Sequence, residues 1–422
     1  MDYKELYNTI KPSFGKFAES INQYRKNTID TVCNQGFPST KSEKYKHTPL
    51  VDFFSKDYSL TQTIEEKIAL PQFPDIDAVK IYTINGKYPY NDIKSEYGYT
   101  YGDIETASNS NNYKDIITKY YNQAADNTDS PTALNTAIST SGLFIHVAKG
   151  TQAAKPLMVI NVVSTEIPLL SLQRNLFVFE ENSASSLMLY NVGNSGINTL
   201  SNDVSEIIVK QNANTNIVRF HDEDILSHHI YSDYCKQFSK CTFNYTNVVL
   251  NGGLVRQNIK VDLLEKHCSC NLYGLVVANK TQHIDSYTFV NHATPECQSN
   301  ELYKSIVGGN ATNIFNGRIL VLPDAQKTSA FQSNKNILLD TGAKVYTNPQ
   351  LEIYADDVKC SHGATIGQLN EDDVFYMQSR GISKKAAELL LMLGFANEIL
   401  RKANNEAFFN LLTTKLENKL VK

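Results

Sequence analysis

The chain has 422 residues, with 40 Lys and Arg set against 44 Asp and Glu, for a formal net charge of -4. A mixed surface of that sign offers neither a basic footprint for nucleic acid nor a polybasic patch for a membrane. No run of about 18 apolar residues occurs, and Met1-Asp2-Tyr3-Lys4-Glu5 leads into no apolar signal core, so a soluble, cytoplasmic protein is expected.

Along the chain, Leu6, Ile10, Phe14, Phe17, Ile21 and Tyr24 recur at spacings of three and four, which predicts amphipathic helix over roughly 2–30, interrupted by Pro12. Gly36-Phe37-Pro38-Ser39 breaks it, and 61–70 predicts a further short helix before Pro71 and Pro74. This N-terminal part reads as helical and separate. From about 85 to 135 the Asn-, Tyr- and Ser-rich sequence predicts loops with one short helix at 113–121. From about 136 to 366 short β-rich runs follow one another: Leu176-Phe177-Val178-Phe179, Ile207-Ile208-Val209, Val248-Val249-Leu250, Gly274-Leu275-Val276-Val277 and Ile319-Leu320-Val321. Small-residue marks precede strands at Asn182-Ser183, Asn212-Ala213, Asn251-Gly252, His267-Cys268, Gly309-Asn310 and Thr341-Gly342, loosely near multiples of about fifteen residues. Such a stretch leaves a sandwich, a barrel or a β-solenoid. After Asp372 the pattern returns to helix, with one or two turns at 373–378, Ser383 as an N-cap, and a last helix from near Asn404 carrying Phe408, Leu411, Leu412 and Leu416. The apolar stripe of these helices suits packing on the β core, or docking of a partner.

Several kinds of chemistry are missing. There is no Gly-x-x-x-x-Gly-Lys-Ser/Thr loop, no Cys-x-x-Cys, and only an approximation to a nucleophile elbow at 192–196. Seven scattered cysteines fit reduced thiols rather than a disulfide framework, which makes the sequons at Asn244, Asn279 and Asn310 chance matches. Cys268 and Cys270 are expected on one inward strand face as small hydrophobes. His221, His228 and His229, among Asp222, Glu223, Asp224 and Asp233, are expected in a solvated loop. The informative stretch is Lys359-Cys360-Ser361-His362-Gly363-Ala364-Thr365. On an extended strand Cys360 and His362 share a face with Ser361 opposed, giving two soft ligands where a closed metal or cluster site needs about four.

The run from Tyr346 to Thr365 resembles the SufB/SufD family of iron–sulfur cluster assembly proteins. The likeness extends through Tyr303-Lys304-Ser305-Ile306, Phe315-Asn316-Gly317-Arg318-Ile319, Asp324-Ala325-Gln326-Lys327-Thr328 and Gln332-Ser333-Asn334-Lys335-Asn336, and onward to Ser379-Arg380-Gly381-Ile382 and Gly394-Phe395-Ala396. Gly36-x-Pro38 with Glu43-Lys44-Tyr45-Lys46-x-Thr48 resembles the family's N-terminal signature, with Tyr45 where Trp is usual. Gly363 after His362, and Thr328-Ser329-Ala330-Phe331-Gln332-Ser333 in place of a cysteine-bearing segment, lean to the SufD side of the family rather than the SufB side.

The resemblance implies a mainly β protein, a right-handed parallel β-helix over 76–370 with an irregular lead-in at 76–135. Helical regions at 1–75 and 371–422 flank it, the latter docking the ATPase SufC near Arg380. It implies a non-catalytic scaffold subunit that works with SufB and SufC, with sulfur arriving from a cysteine desulfurase system. His362 and Cys360 are then this chain's ligands to a transient iron–sulfur cluster completed by SufB, while Gln332 and Arg318 support the interface. The resemblance also admits a reduced flavin in the complex, and a homodimer of the isolated chain through the edge that SufB would cover. Two alternatives remain at this point. One is a structural partner that stabilises SufB and positions SufC, and the other a β-helix lyase or hydrolase with Cys360 as nucleophile and His362 as base.

Overall fold

The computed structural model describes residues 3–60, 70–73, 75–193 and 196–421, and its core is a parallel β-solenoid of about eight turns. Its strands alternate between two sheets. Among the described residues ten strands form the first sheet and nine the second, so each rung contributes one strand to each. Pairing is parallel throughout except at the start of the first sheet, where Ile93–Glu96, Tyr99–Asp103 and Leu143–Val147 run antiparallel.

The rung geometry explains the sequence marks. Left-handed backbone recurs at Asn182, Asn212, Lys240, His267, Glu296 and Lys327, about 30 residues apart. The spacing near fifteen seen in the sequence is therefore half a rung. Asn suits this conformation, whereas Lys, His and Glu adopt it at a cost. Stacking offsets that cost, because the N–H at such a corner donates to a carbonyl of the following rung: Asn182 to Gln211 at 2.9 Å, Asn212 to Ser239 at 3.0 Å, Lys240 to Lys266 at 3.0 Å, and Glu296 to Gln326 at 2.9 Å.

Inward positions follow the two-residue period. Phe177, Phe179, Ile207, Val209, Phe243, Tyr245, Val261, Val290, Phe315 and Ile319 fill the interior, together with Cys241, Cys268, Cys270 and Cys297. Many outward positions of the earlier rungs are covered by helix. On the first sheet the helices Glu19–Gln35 and Ser130–Ile138 bury Leu170, Leu172, Leu200, Ile230 and Leu254. The N-terminal helices are thus part of the same packed body rather than separate. On the second sheet Lys384–Leu400 and Glu406–Val421 place Ile399, Leu400, Phe408, Leu412 and Leu416 on Val218, Phe220, Val248, Leu250 and Leu275. That settles the use of this stripe as packing. Ser383 caps the first of these helices through the amide of Ala386.

Two further expectations differ from the structure, and another falls almost wholly outside the residues it describes. The segment read as loops holds, besides the helix Lys114–Tyr120, two short strands, the helix Ile104–Asn109 and the helix Ser130–Ile138, which is buried along its whole length. Its polar sequence hid it: Asn135 sits inside because its amide donates to the carbonyls of Gln173 and Asn202. The helix predicted at 61–70 lies, but for Leu70, outside the described residues, as do Asn194 and Ser195 of the elbow-like segment. His221 and His229 do not lie in a solvated loop. They are buried on the inward faces of Asn214–Glu223 and Ser227–Gln237, where carboxylates partner them.

Among the described residues no helix is long and apolar enough to cross a membrane.

Candidate functional site at the last rung

The solenoid ends on Lys344–Ile353 and Val358–Gly367. Within the described residues each pairs along one edge only, with Thr312–Val321 and Thr328–Leu338 respectively. Their far edges offer backbone donors and acceptors to another chain. Most side chains of both strands are exposed or half-buried, in contrast to the sealed rungs before them.

Register fixes where the pair from the sequence points. Cys360 sits beside Ala330 and His362 beside Gln332. Ala330 and Gln332 are buried, and Phe331 between them is 46% exposed, so Cys360 and His362 continue the inward columns while Ser361 faces out. Cys360 is half-buried against the interior apolar cluster, and His362 is exposed at the open end. Burial raises the Cys360 thiol above its usual pKa, and a backbone hydrogen bond at Ala330 pulls the other way. The group therefore rests as a thiol.

The wall behind His362 is polar. Glu301, Gln332 and His362 occupy one register column. Gln332 Nε2 donates to Glu301 Oε2 at 3.1 Å, and Thr288 Oγ1 donates to the same oxygen at 2.7 Å. Burial pushes the Glu301 carboxyl up to about 7, with those two hydrogen bonds opposing. Gly317 makes this possible, since a Cβ there would stand 2.2 Å from Gln332 Nε2. The sequence reading missed Glu301. Its signal was a carboxylate at an inward strand position, readable only once the inward parity was known.

The other predicted residues lie apart from the pair. Arg318 projects from the outer face of the first sheet, where it meets Glu352 at 2.7 Å and lies over the Phe289 ring, in a groove with Lys44, Tyr287 and Gln350. It braces the last rung from outside rather than lining the inward column. Arg380 follows the helix Glu371–Ser379 and is exposed over the Tyr376 ring. The N-terminal signature is a clamp. Tyr45 Oη donates to Asp129 at 2.6 Å, Arg256 stacks on the Tyr45 ring and pairs with Asp285, and His47 stacks on Tyr346 of the last rung with centroids 4.1 Å apart.

Residues 162–395 match the model of the SUF system FeS cluster assembly, SufBD core domain. The chain belongs to the SufBD family. Residues 1–159 match the SufBD protein N-terminal region. The iron–sulfur cluster assembly protein SufD of Escherichia coli is 26% identical over 93% of this chain and 91% of its own length. An iron–sulfur cluster assembly SufBD family protein of Synechocystis is 28% identical over 89% of this chain and 86% of its own. The chloroplastic protein ABCI7 of Arabidopsis thaliana is 34% identical over 48% of this chain and 43% of its own. This SufBD protein is a SufD homologue in iron–sulfur cluster assembly.

Proposed function

We propose that the chain is the SufD-like subunit of a cluster assembly scaffold and contributes Cys360 and His362 to a nascent cluster completed by SufB. The observation that carries this reading is an inward-facing thiol and imidazole on a terminal rung with one edge unpaired. Two ligands hold a cluster weakly, and ligands split across a joint between subunits separate when the joint shifts, which suits a site that must release its product. The subunit itself carries out no covalent turnover in this reading, and the cluster is cargo.

SufC docking belongs to the C-terminal helices. A groove of about 670 Å³ runs between Leu338, Leu369, Val374, Phe375 and Met392, and Phe375 and Tyr376 beside Arg380 are 71% and 61% exposed. Those rings have the character of interface anchors.

The test is co-expression with SufB and SufC followed by anaerobic reconstitution and measurement of bound iron and sulfide. His362→Ala is expected to lower cluster content severalfold with the complex intact, and Cys360→Ala to lower it less. Equal content in wild type and both variants would leave the chain as a structural partner. Phe375→Asp is expected to weaken SufC capture while SufB pairing persists.

A further inference from the structure

Five rungs before the open end, a second set of ligating side chains lies inside the solenoid, and the reading of the last rung makes no use of it. His221 and Glu223 are two residues apart on the inward face of one strand, and His229 projects inward from the next strand across the corner. All three are buried, and their ligating atoms lie within 4.8 Å of one another. Glu223 Oε2 stands 3.1 Å from His221 Nδ1 and 3.0 Å from His229 Nδ1. Ligands about 2.0 to 2.2 Å from one metal ion are separated by roughly that distance when they take adjacent coordination positions. The far nitrogen of His229, Nε2, lies 2.9 Å from Asp203 Oδ2. A carboxylate behind a metal-bound histidine is the usual device that fixes its ring and tautomer.

Three further observations favour a cation here. First, two buried carboxylates, Glu223 and Asp203, face the single imidazolium that His229 can supply, while the neighbouring Arg219 is committed to Asp233 at 2.9 and 3.2 Å. A divalent ion bound by two neutral imidazoles would balance both carboxylates, with the His229 proton released to solvent. Second, His221 is wholly buried and its Nε2 has no hydrogen-bond partner among the described groups, so the Nδ1 that faces Glu223 is the ring nitrogen the fold directs into the cluster. Third, a small chamber of about 10 Å³, lined by Asn161, Asn191, Ser201, Asp203, Glu223 and His229 with Val162 and Val163, adjoins the cluster and has space for at most one water. The solenoid does not need this chemistry for its shape. In register on the following rung, His221 and His229 are replaced by Val249 and Val255.

We propose that His221, Glu223 and His229 form a buried binding site for one first-row divalent transition-metal ion, iron or zinc in class, with Asp203 positioning His229. Two imidazoles and one carboxylate with a water is a donor set for such ions rather than for calcium or magnesium. The ion ties one strand of each sheet together at a corner, far from the cargo site, and enters as the chain folds.

The experiment uses the full chain, purified as expressed and also unfolded and refolded with Co²⁺, then gel-filtered and assayed for metal by mass spectrometry. The expected result is about one ion per chain in wild type and in His362→Ala, falling about tenfold or more in His221→Phe and Glu223→Gln. Phenylalanine retains a ring to stack on Tyr231, as His221 does at 5.0 Å. Cobalt ligand-field bands without a thiolate charge-transfer band are expected in wild type, and this reading stands if either variant fails to fold. No metal retained after refolding, equal retention by the two folded variants, or a thiolate band would each overturn the proposal.

Discussion

His229 and His362 occupy the same kind of position, inward on a solenoid strand, yet one is sealed in the middle of the stack and the other stands at its rim. In the middle, ionisable groups are cut off from solvent and act chiefly on one another. Burial alone would lower the His229 pKa, but Glu223 and Asp203 outweigh it and raise it to about 9. Glu223, which burial alone would raise, is held well below the carboxylate range by His229 and His221. At the rim there is no following rung among the described residues, and the same inward geometry leaves His362 open to whatever covers the edge. One architecture therefore produces a buried cluster of charges and an open rim, and the number of neighbouring rungs decides which.

The largest effect expected from that contrast is at the buried cluster of charges. His229→Ala leaves two buried carboxylates facing each other and should cost about 3–5 kcal/mol, read as a lowered urea midpoint. A cost near that of an ordinary surface change would break the comparison. Next comes pH. Glu301 has its folded pKa raised from 4.5 to about 7, so the fold favours its protonated form. This contribution to stability is full below about pH 4.5 and is lost as pH rises through 7. Glu301→Gln, which still accepts from Thr288 and Gln332, should remove that loss, so that the variant gains on wild type by on the order of 2–3 kcal/mol between pH 5 and 8. An unchanged difference across that range would show that Glu301 does not titrate there. His221, His228 and His292 run the other way. Burial lowers each to about 4, so their contribution is present above about 6.5 and is lost as pH falls through 4. The smallest effect is at the rim: His362→Ala should change unfolding free energy by no more than about 0.5 kcal/mol while cluster content falls. A large destabilisation there would mean that the last rung is closed rather than open.

Much of the rim was readable in the chain. Cys360-x-His362 needs only the strand period to place both side chains on one face, and the marks at Asn182, Asn212 and His267 proved to be the left-handed corners of successive rungs. The buried cluster of charges was misread because a run such as His-Asp-Glu-Asp looks solvated when its partners are unknown. Asp203, which holds His229, lies 26 positions away and meets it only through the stacking of rungs. Glu301 was missed for the same reason, since its neighbours Thr288 and Gln332 come from other strands. Arg318 and Gln332 both stood in the stretch that carries the resemblance, yet opposite strand faces send one to the outer groove and the other behind His362.

The sequence by itself determined which segments alternate, where corners with left-handed backbone are tolerated, and that a thiol and an imidazole share a strand face, because each depends on residues within a few positions of one another. Only the tertiary structure decided which face was inward, which rung was last, and which buried charges were paired. Those outcomes rest on contacts between residues of different strands, from a few to about thirty positions apart, formed when strands close a rung and rungs stack, and no local pattern encodes them.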